Sequence, residues 1–272
     1  MPNRNLLLNS ISTSTMILAL VLVCSISTNI YPSAHATQQQ YSMVGKWGSG
    51  GSGFGKFSQP IDIAIDASGN VYVGDFGNAQ DGIQKFTSNG TFITSWGSTG
   101  LGDGQFINPS GITIDASGNV YVGDFGENNR IQKFDNTGKF ITKWGTPGTG
   151  DSQFINPSDI VTDKAGDVYV VDSGNNRIQK FDNTGKFITK WGTPGSNDGQ
   201  LSSPIGISID SSGNIYVSDN GNNRIQKFDN TGKFITKWSA NSPFGVAVDP
   251  NGKVYVIDQN DASVEIYSPS SP

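Results

Sequence analysis

The chain has 272 residues, 15% of them charged and 35 of them glycine, with one His and one Cys. His35, Cys24 and Arg4 all fall in residues 1–36, so the 18 basic residues less Arg4 leave 17 against 23 acidic ones in the remainder, a net charge of −6. That remainder has no thiol for a disulfide or a nucleophile and no imidazole for a zinc site or a general base. Its acidity argues against nucleic acid as a partner, because neutralising phosphates takes a basic face.

Residues 1–36 have the layout of an export signal. Arg4 supplies the positive start, residues 16–23 are an unbroken apolar run, and Ala34-His35-Ala36 is a small-residue cleavage site. The run is short for a membrane span of about 20 residues. Cleavage is expected, leaving a secreted or cell-surface protein with no membrane span. Without cysteines, such a protein depends on its own core.

Residues 37–272 form one domain built from a repeat. Trp47, Trp96, Trp144, Trp191 and Trp238 are spaced by 49, 48, 47 and 47 residues. Asp75, Asp124, Asp172, Asp219 and Asp258 follow at the ends of matching V-Y-V or I-Y-V runs. A period of this size indicates a solenoid, a propeller or an array.

One repeat reads as four strands. Ile160-Val161-Thr162 follows a proline, and Asp163-Lys164-Ala165-Gly166 is a turn. Val168-Tyr169-Val170-Val171 is apolar on both faces, as a strand covered on both sides should be. Arg177 to Phe181 and Lys186 to Trp191 are the third and fourth strands, joined by the tight turn Asp182-Asn183-Thr184-Gly185. Four short antiparallel strands per repeat predict a propeller blade. The fourth strand carries lysines (Lys139, Lys143 and equivalents) that protect an outer edge.

This counts four whole blades, at residues 52–96, 101–144, 149–191 and 196–238. Residues 241–269 hold three strands without a fourth, and residues 41–48 look like a fourth strand alone. The expectation is an all-β propeller of five blades, one split between the chain ends and closing the ring.

The unit P-x-G-I-x-I-D-x-S-G-N-V-Y-V-x-D-x-G-N-N-R-I-Q-K-F-D-x-x-G-K-F-I-x-x-W-G closely resembles the NHL repeat, with the strongest match at residues 109–145, 157–192 and 204–238. The resemblance implies the propeller fold, with six blades the more frequent number and therefore the alternative count. It also implies a range of activities. NHL propellers mostly bind proteins and some bind RNA, while related propellers are lyases or lactonases. The amidating lyases use His-bound zinc, which residues 37–272 do not supply. The lactonases hold Ca²⁺ with Glu, Asn and Asp, so that is the enzyme reading left.

Residues 128–148 and 175–195 are identical, and residues 222–238 repeat the same string. Identical copies make a symmetric surface, so a unique site should lie where the copies differ. They differ in the loop from Trp to Pro and at the opening of the first strand, both expected on one face. There Asp62 and Asp159 replace Gly111, Gly206 and Gly245, which would suit Ca²⁺ as the cation. Phe76 and Phe125 replace Ser173, Asn220 and Gln259, which suggests an aromatic contact patch. Arg130, Arg177 and Arg224 are the third group of candidate contacts, with pairing to the aspartates of their own repeats as the structural alternative. Asn89-Gly90-Thr91 is an N-glycosylation acceptor sequence. The reading is a monomeric, exported scaffold that binds a protein or glycan, without a required cofactor. A Ca²⁺-dependent lactonase or lyase with its site at the central channel is the alternative.

Overall fold

The blade strands are four to seven residues long and separated by turns that the side chains themselves hold in place. In blade 2 the turn after the first strand is Asp115-Ala116-Ser117-Gly118. Asp115 Oδ1 accepts the amides of Ser117 and Asn119, both at 2.9 Å, and Oδ2 accepts the Tyr121 hydroxyl at 2.9 Å. Gly118 sits at φ 84°, which a residue with a Cβ adopts at a cost. The same aspartate geometry recurs at Asp66, Asp163 and Asp210.

The computed structural model describes residues 45–76 and 82–268. Within them are five antiparallel sheets in propeller order. Blade 1 is Gln59–Ile65, Val71–Phe76, Ile83–Phe86 and Phe92–Trp96. Blade 2 is Asn108–Ile114, Val120–Phe125, Arg130–Phe134 and Phe140–Trp144. Blade 3 is Pro157–Thr162, Val168–Asp172, Arg177–Phe181 and Phe187–Trp191. Blade 4 is Pro204–Ile209, Ile215–Asp219, Arg224–Phe228 and Phe234–Ser239. Blade 5 is Pro243–Val248, Val254–Asp258 and Ser263–Tyr267. Each sheet keeps its strands in sequence order. Two short 3₁₀ turns, Ser173–Asn175 and Asn220–Asn222, are the only helical segments among the described residues. None is long and apolar enough to cross a membrane.

The core lies between blades. Tyr121, Ile131 and Trp144 of blade 2 pack with Ile160, Val168, Val170 and Phe181 of blade 3, and Phe154 of the connecting loop joins them. Each buried side chain of this size contributes about 1.5–3 kcal/mol. Polar chains cross the same contact. Lys133 of blade 2 lies 4.9 Å above the Tyr121 ring and donates to the Asn183 carbonyl of blade 3 at 2.9 Å. The glycine of the outer turn packs flat on the preceding tryptophan: a Cβ on Gly185 would stand 2.6 Å from the Trp144 ring. Trp47 stands in the same relation to Gly90, so it occupies the place of a tryptophan ahead of blade 1.

The expected closing strand falls only in part within the described residues. Residues 1–44, including the predicted signal and the first half of the predicted closing strand, lie outside the described residues. Residues 45–48 are not in a strand, and the sheet of blade 5 has three strands among the described residues. Ile63 of blade 1 is 60% exposed, whereas its counterparts Ile112, Ile160 and Ile207 are 3–5% exposed. The face that a preceding blade would cover on blade 1 is therefore open near its inner strand.

Truncation should read this difference directly. Ile160→Ala should cost about 2–5 kcal/mol, and Ile63→Ala within about 0.5 kcal/mol. Urea-denaturation midpoints of the two variants in dilute solution check this. Equal losses would mean that blade 1 is covered in solution.

Candidate functional site

The variable face is built on a buried polar clamp. Asp172, at the end of the second strand of blade 3, is fully buried. Its Oδ1 accepts the Ile155 amide at 2.8 Å and its Oδ2 accepts Arg177 Nε at 2.7 Å. Arg177 donates further through Nη1 to the Thr149 carbonyl and through Nη2 to those of Gly150 and Gln153. Gln179, also buried, donates to the Gln153 carbonyl and to Asp172. One carboxylate thus fixes an arginine, and the arginine fixes the loop that enters the blade. Arg130 and Arg224 repeat the arrangement on the carbonyls of Leu101, Gly102 and Gln105, and of Ser196, Asn197 and Gln200.

These contacts correct the reading of Arg130, Arg177 and Arg224 as partner-binding residues. All three are buried, and each spends four N–H donors inside its own blade. Their place is structural, as the carboxylate-pairing alternative had it. Their targets also confirm that the fourth-to-first and second-to-third connections share one face. Blade 1 has Gly82 at this position, and its Asp75 accepts the amides of Ser58 and Gln59.

Phe76 and Phe125 end the second strands of blades 1 and 2 on that face. Their rings are 6.1 Å apart and inclined by 6°, a parallel stack across the blade boundary. Both are half-buried. At the equivalent place in blade 4, Asn220 Nδ2 donates to the Pro243 carbonyl of blade 5 at 3.1 Å. The aromatic pair replaces polar cross-blade contact with apolar surface that is partly open to solvent.

Asp62 and Asp159 lie on the first strands, near each other across blade 2. Asp62 Oδ2 accepts the Ile112 amide of blade 2 at 2.7 Å, and Asp159 Oδ2 accepts the Ile207 amide of blade 4 at 2.9 Å. Their other oxygens accept the amides of Ile63 and Ile160. Lost hydration, and then the Asp62 charge, push the Asp159 carboxyl up to about 8. Burial also raises Asp62, against the two amides that lower it. A Cβ on Gly111, between them, would come within 2.5 Å of Asp159 Oδ1, so the backbones are already in contact there. This arrangement does not suit Ca²⁺, which takes about six to eight oxygens. All four carboxylate oxygens hold peptide N–H groups, and no cluster of three His, Cys, Asp or Glu suited to a metal occurs among the described residues. The two aspartates staple blades together, a role that sequence reasoning missed.

A cavity of about 450 Å³ opens at the opposite face, between the first turns of blades 3, 4 and 5. Its aspartates Asp163 and Asp210 are committed to their own turns and to Tyr169 and Tyr216. Asn89 lies on an exposed outer turn, where its Oδ1 accepts the Thr91 hydroxyl at 3.0 Å.

A family model described as NHL repeat matches residues 57–80, 106–134, 154–181 and 201–228. Among solved structures, a nidogen/laminin complex is similar at a TM-score of 0.60 and 22% identity, covering 77% of this chain and 75% of that one. Virginiamycin B lyase from Staphylococcus aureus is similar at 0.57 and 18% identity, over 79% and 71% of the two chains. A streptogramin B lyase is similar at 0.52 and 18% identity, over 79% and 85%. At these identities the likeness is one of fold. No curated protein matches this chain.

Two measurements test the polar groups. Arg177→Ala leaves Asp172 buried without its cation and should cost about 3–5 kcal/mol of stability, read by chemical denaturation. A carboxyl whose folded pKa is raised favours the folded state below its unfolded value, and that contribution is lost as pH climbs toward the folded value. For Asp159 this window runs from 3.8 to about 8. Asp62→Asn removes the neighbouring charge and should bring the Asp159 carboxyl down, as followed by ¹³C NMR titration.

Proposed function

Because the chain is an NHL-repeat β-propeller, we propose that it is an exported scaffold that binds a protein or glycan through its variable-loop face. The observation that carries this reading is the Phe76–Phe125 stack. Aromatic side chains that are apolar on one side and open on the other are frequent centres of binding surfaces. These two sit together, on adjacent blades, on the face where the repeats stop being copies of each other. Beside Phe125 the loop entering blade 2 is held by Arg130, so little conformational freedom is lost there on binding. The arginines contribute by fixing those loops and not by touching the partner.

Two likenesses bear on the reading. The nidogen neighbour is known from a complex with laminin, which is a precedent for protein binding on this fold. The lyase neighbours are a precedent for catalysis, and one of them is described as catalytically inactive when a histidine is replaced by alanine. The single histidine here, His35, falls in the predicted signal. Among the described residues, the two carboxylates singled out for a cation, Asp62 and Asp159, already accept peptide amides.

Phe76→Ala with Phe125→Ala should leave the circular-dichroism spectrum in place. It should weaken capture of the extracellular protein or glycan about tenfold or more, roughly 1.4 kcal/mol or more. Binding profiles of the parent and the double variant on glycan arrays and on envelope extracts check this. Unchanged capture would remove the aromatic patch from the site.

A further inference from the structure

The cavity of about 450 Å³ lies at the ends of the first strands of blades 3, 4 and 5, on the face opposite the variable loops. Its size is that of a small-ligand site, which spans about 300–1,000 Å³. Ile209, Val248 and Pro250 supply apolar surface, and Ser211, Ser212 and Asn230 supply hydroxyl and amide groups. The turns that form it are not copies of one another. Blades 1 and 2 have Ala67 and Ala116 at the second turn position, whereas blades 3 and 5 have Lys164 and Pro250.

The charges in the cavity are of two kinds. In blades 1 to 4 the aspartate that opens the first turn lies 3.3–4.0 Å from a lysine of its own blade, at Lys85, Lys133, Lys180 and Lys227. Asp163 and Asp210 therefore reach the cavity already neutralised. Asp249 does not, because Ile266 stands at the lysine position of blade 5. Its Oδ1 accepts the amides of Asn251 and Lys253, both inside the turn. Its Oδ2 accepts no hydrogen bond among the described residues, whereas the tyrosine hydroxyl reaches this oxygen of Asp66, Asp115, Asp163 and Asp210. Across blade 4 from it, Lys164 Nζ donates to the Ser211 carbonyl at 3.0 Å. An ammonium has three N–H groups, so two remain.

One carboxylate oxygen and one ammonium are thus left to a ligand, with no net charge between them. A cation would be opposed by Lys164, and an anion by Asp249. A zwitterion would meet both but leave the hydroxyl and amide groups unmatched. A neutral sugar matches the whole set. Each of its hydroxyls donates and accepts, so it can donate to Asp249 Oδ2 and accept from Lys164, and bonds to ionised partners are the strong ones. Its C–H face suits the apolar side chains. We propose that this cavity binds a neutral pyranose sugar, free or as the end unit of a glycan, between Asp249 and Lys164. The site is separate from Phe76 and Phe125 and stands whether or not they bind a partner.

The test titrates the full chain with glucose, galactose, mannose and N-acetylglucosamine, each as the free sugar and as the methyl glycoside, followed by saturation-transfer NMR. At least one should bind saturably. Binding of the free form alone marks a monosaccharide site, and binding of both forms marks the end unit of a glycan. Glucuronate, glucosamine and the zwitterion alanine should bind more weakly. Lys164→Ala repeats what blades 1 and 2 have at this turn position, so the fold is kept, and it should weaken binding about tenfold. Ile266→Lys, which gives Asp249 the lysine of the other blades, should do the same. Phe76→Ala with Phe125→Ala should leave the sugar affinity unchanged. Four results would overturn the proposal: no saturable binding of any neutral sugar, tighter binding of a charged comparator, full affinity in both Lys164→Ala and Ile266→Lys, or loss of affinity in the double phenylalanine variant.

Discussion

Everything in this fold hangs on the contact between neighbouring blades. A four-stranded sheet with apolar residues on both faces is not stable by itself in water. Tyr121 and Ile131 on one blade have no use except against Val168, Val170 and Phe181 on the next. The consequence is a chain whose stability is a sum over interfaces and whose blades stand or fall by their neighbours. It also accounts for the glycines of the outer turns. Gly138 and Gly185 exist because the tryptophan of the previous blade lies where a Cβ would be. The packing has a cost: the indole N–H groups of Trp96, Trp144, Trp191 and Trp238 are buried without an acceptor.

A second, polar layer runs through the same contacts and sets where function can reside. Lys133 over Tyr121, Gln179 on the loop carbonyl and Arg177 on Asp172 are all buried, and all belong to the repeated string R-I-Q-K-F. The string is identical in blades 2, 3 and 4, where each of its residues is engaged, the polar ones as fully as the apolar ones. A repeat so constrained has little surface left to vary. Variation falls on the residues beyond the clamp, among them the loop tips, the openings of the first strands with Asp62 and Asp159, and the ends of the second strands with Phe76 and Phe125.

Most of the fold was legible because its causes are local. β-Branched runs of five residues, bounded by Asp-x-x-Gly turns, identify strands and their order without reference to anything distant. The shared face of the variable loops was legible too, since strand order alone puts them there. The arginines were misjudged because sequence shows a charge in a loop and not the ring of carbonyls around it. Only the three-dimensional path of residues 145–156 makes Arg177 an internal residue. Asp62 and Asp159 were misjudged for the same reason. Their partners, Ile112 and Ile207, lie about one repeat away, and a backbone amide leaves no mark in the sequence.

Ring closure belongs to a third category, neither local nor pairwise. Each blade contact fixes a small rotation, and whether the ends meet depends on the sum of those rotations over all the blades. Two sequences with the same strands and the same contacts can differ in that sum. The tryptophan count therefore gives the number of contact surfaces and says nothing of whether the first and last face each other. What the sequence does hold is the chemistry of those two surfaces. Ile266 stands where the other four blades have a lysine, and Thr87 and Ser268 stand where blades 2, 3 and 4 have an aspartate. A surface meant for water would have no reason to lose its lysine and gain an isoleucine.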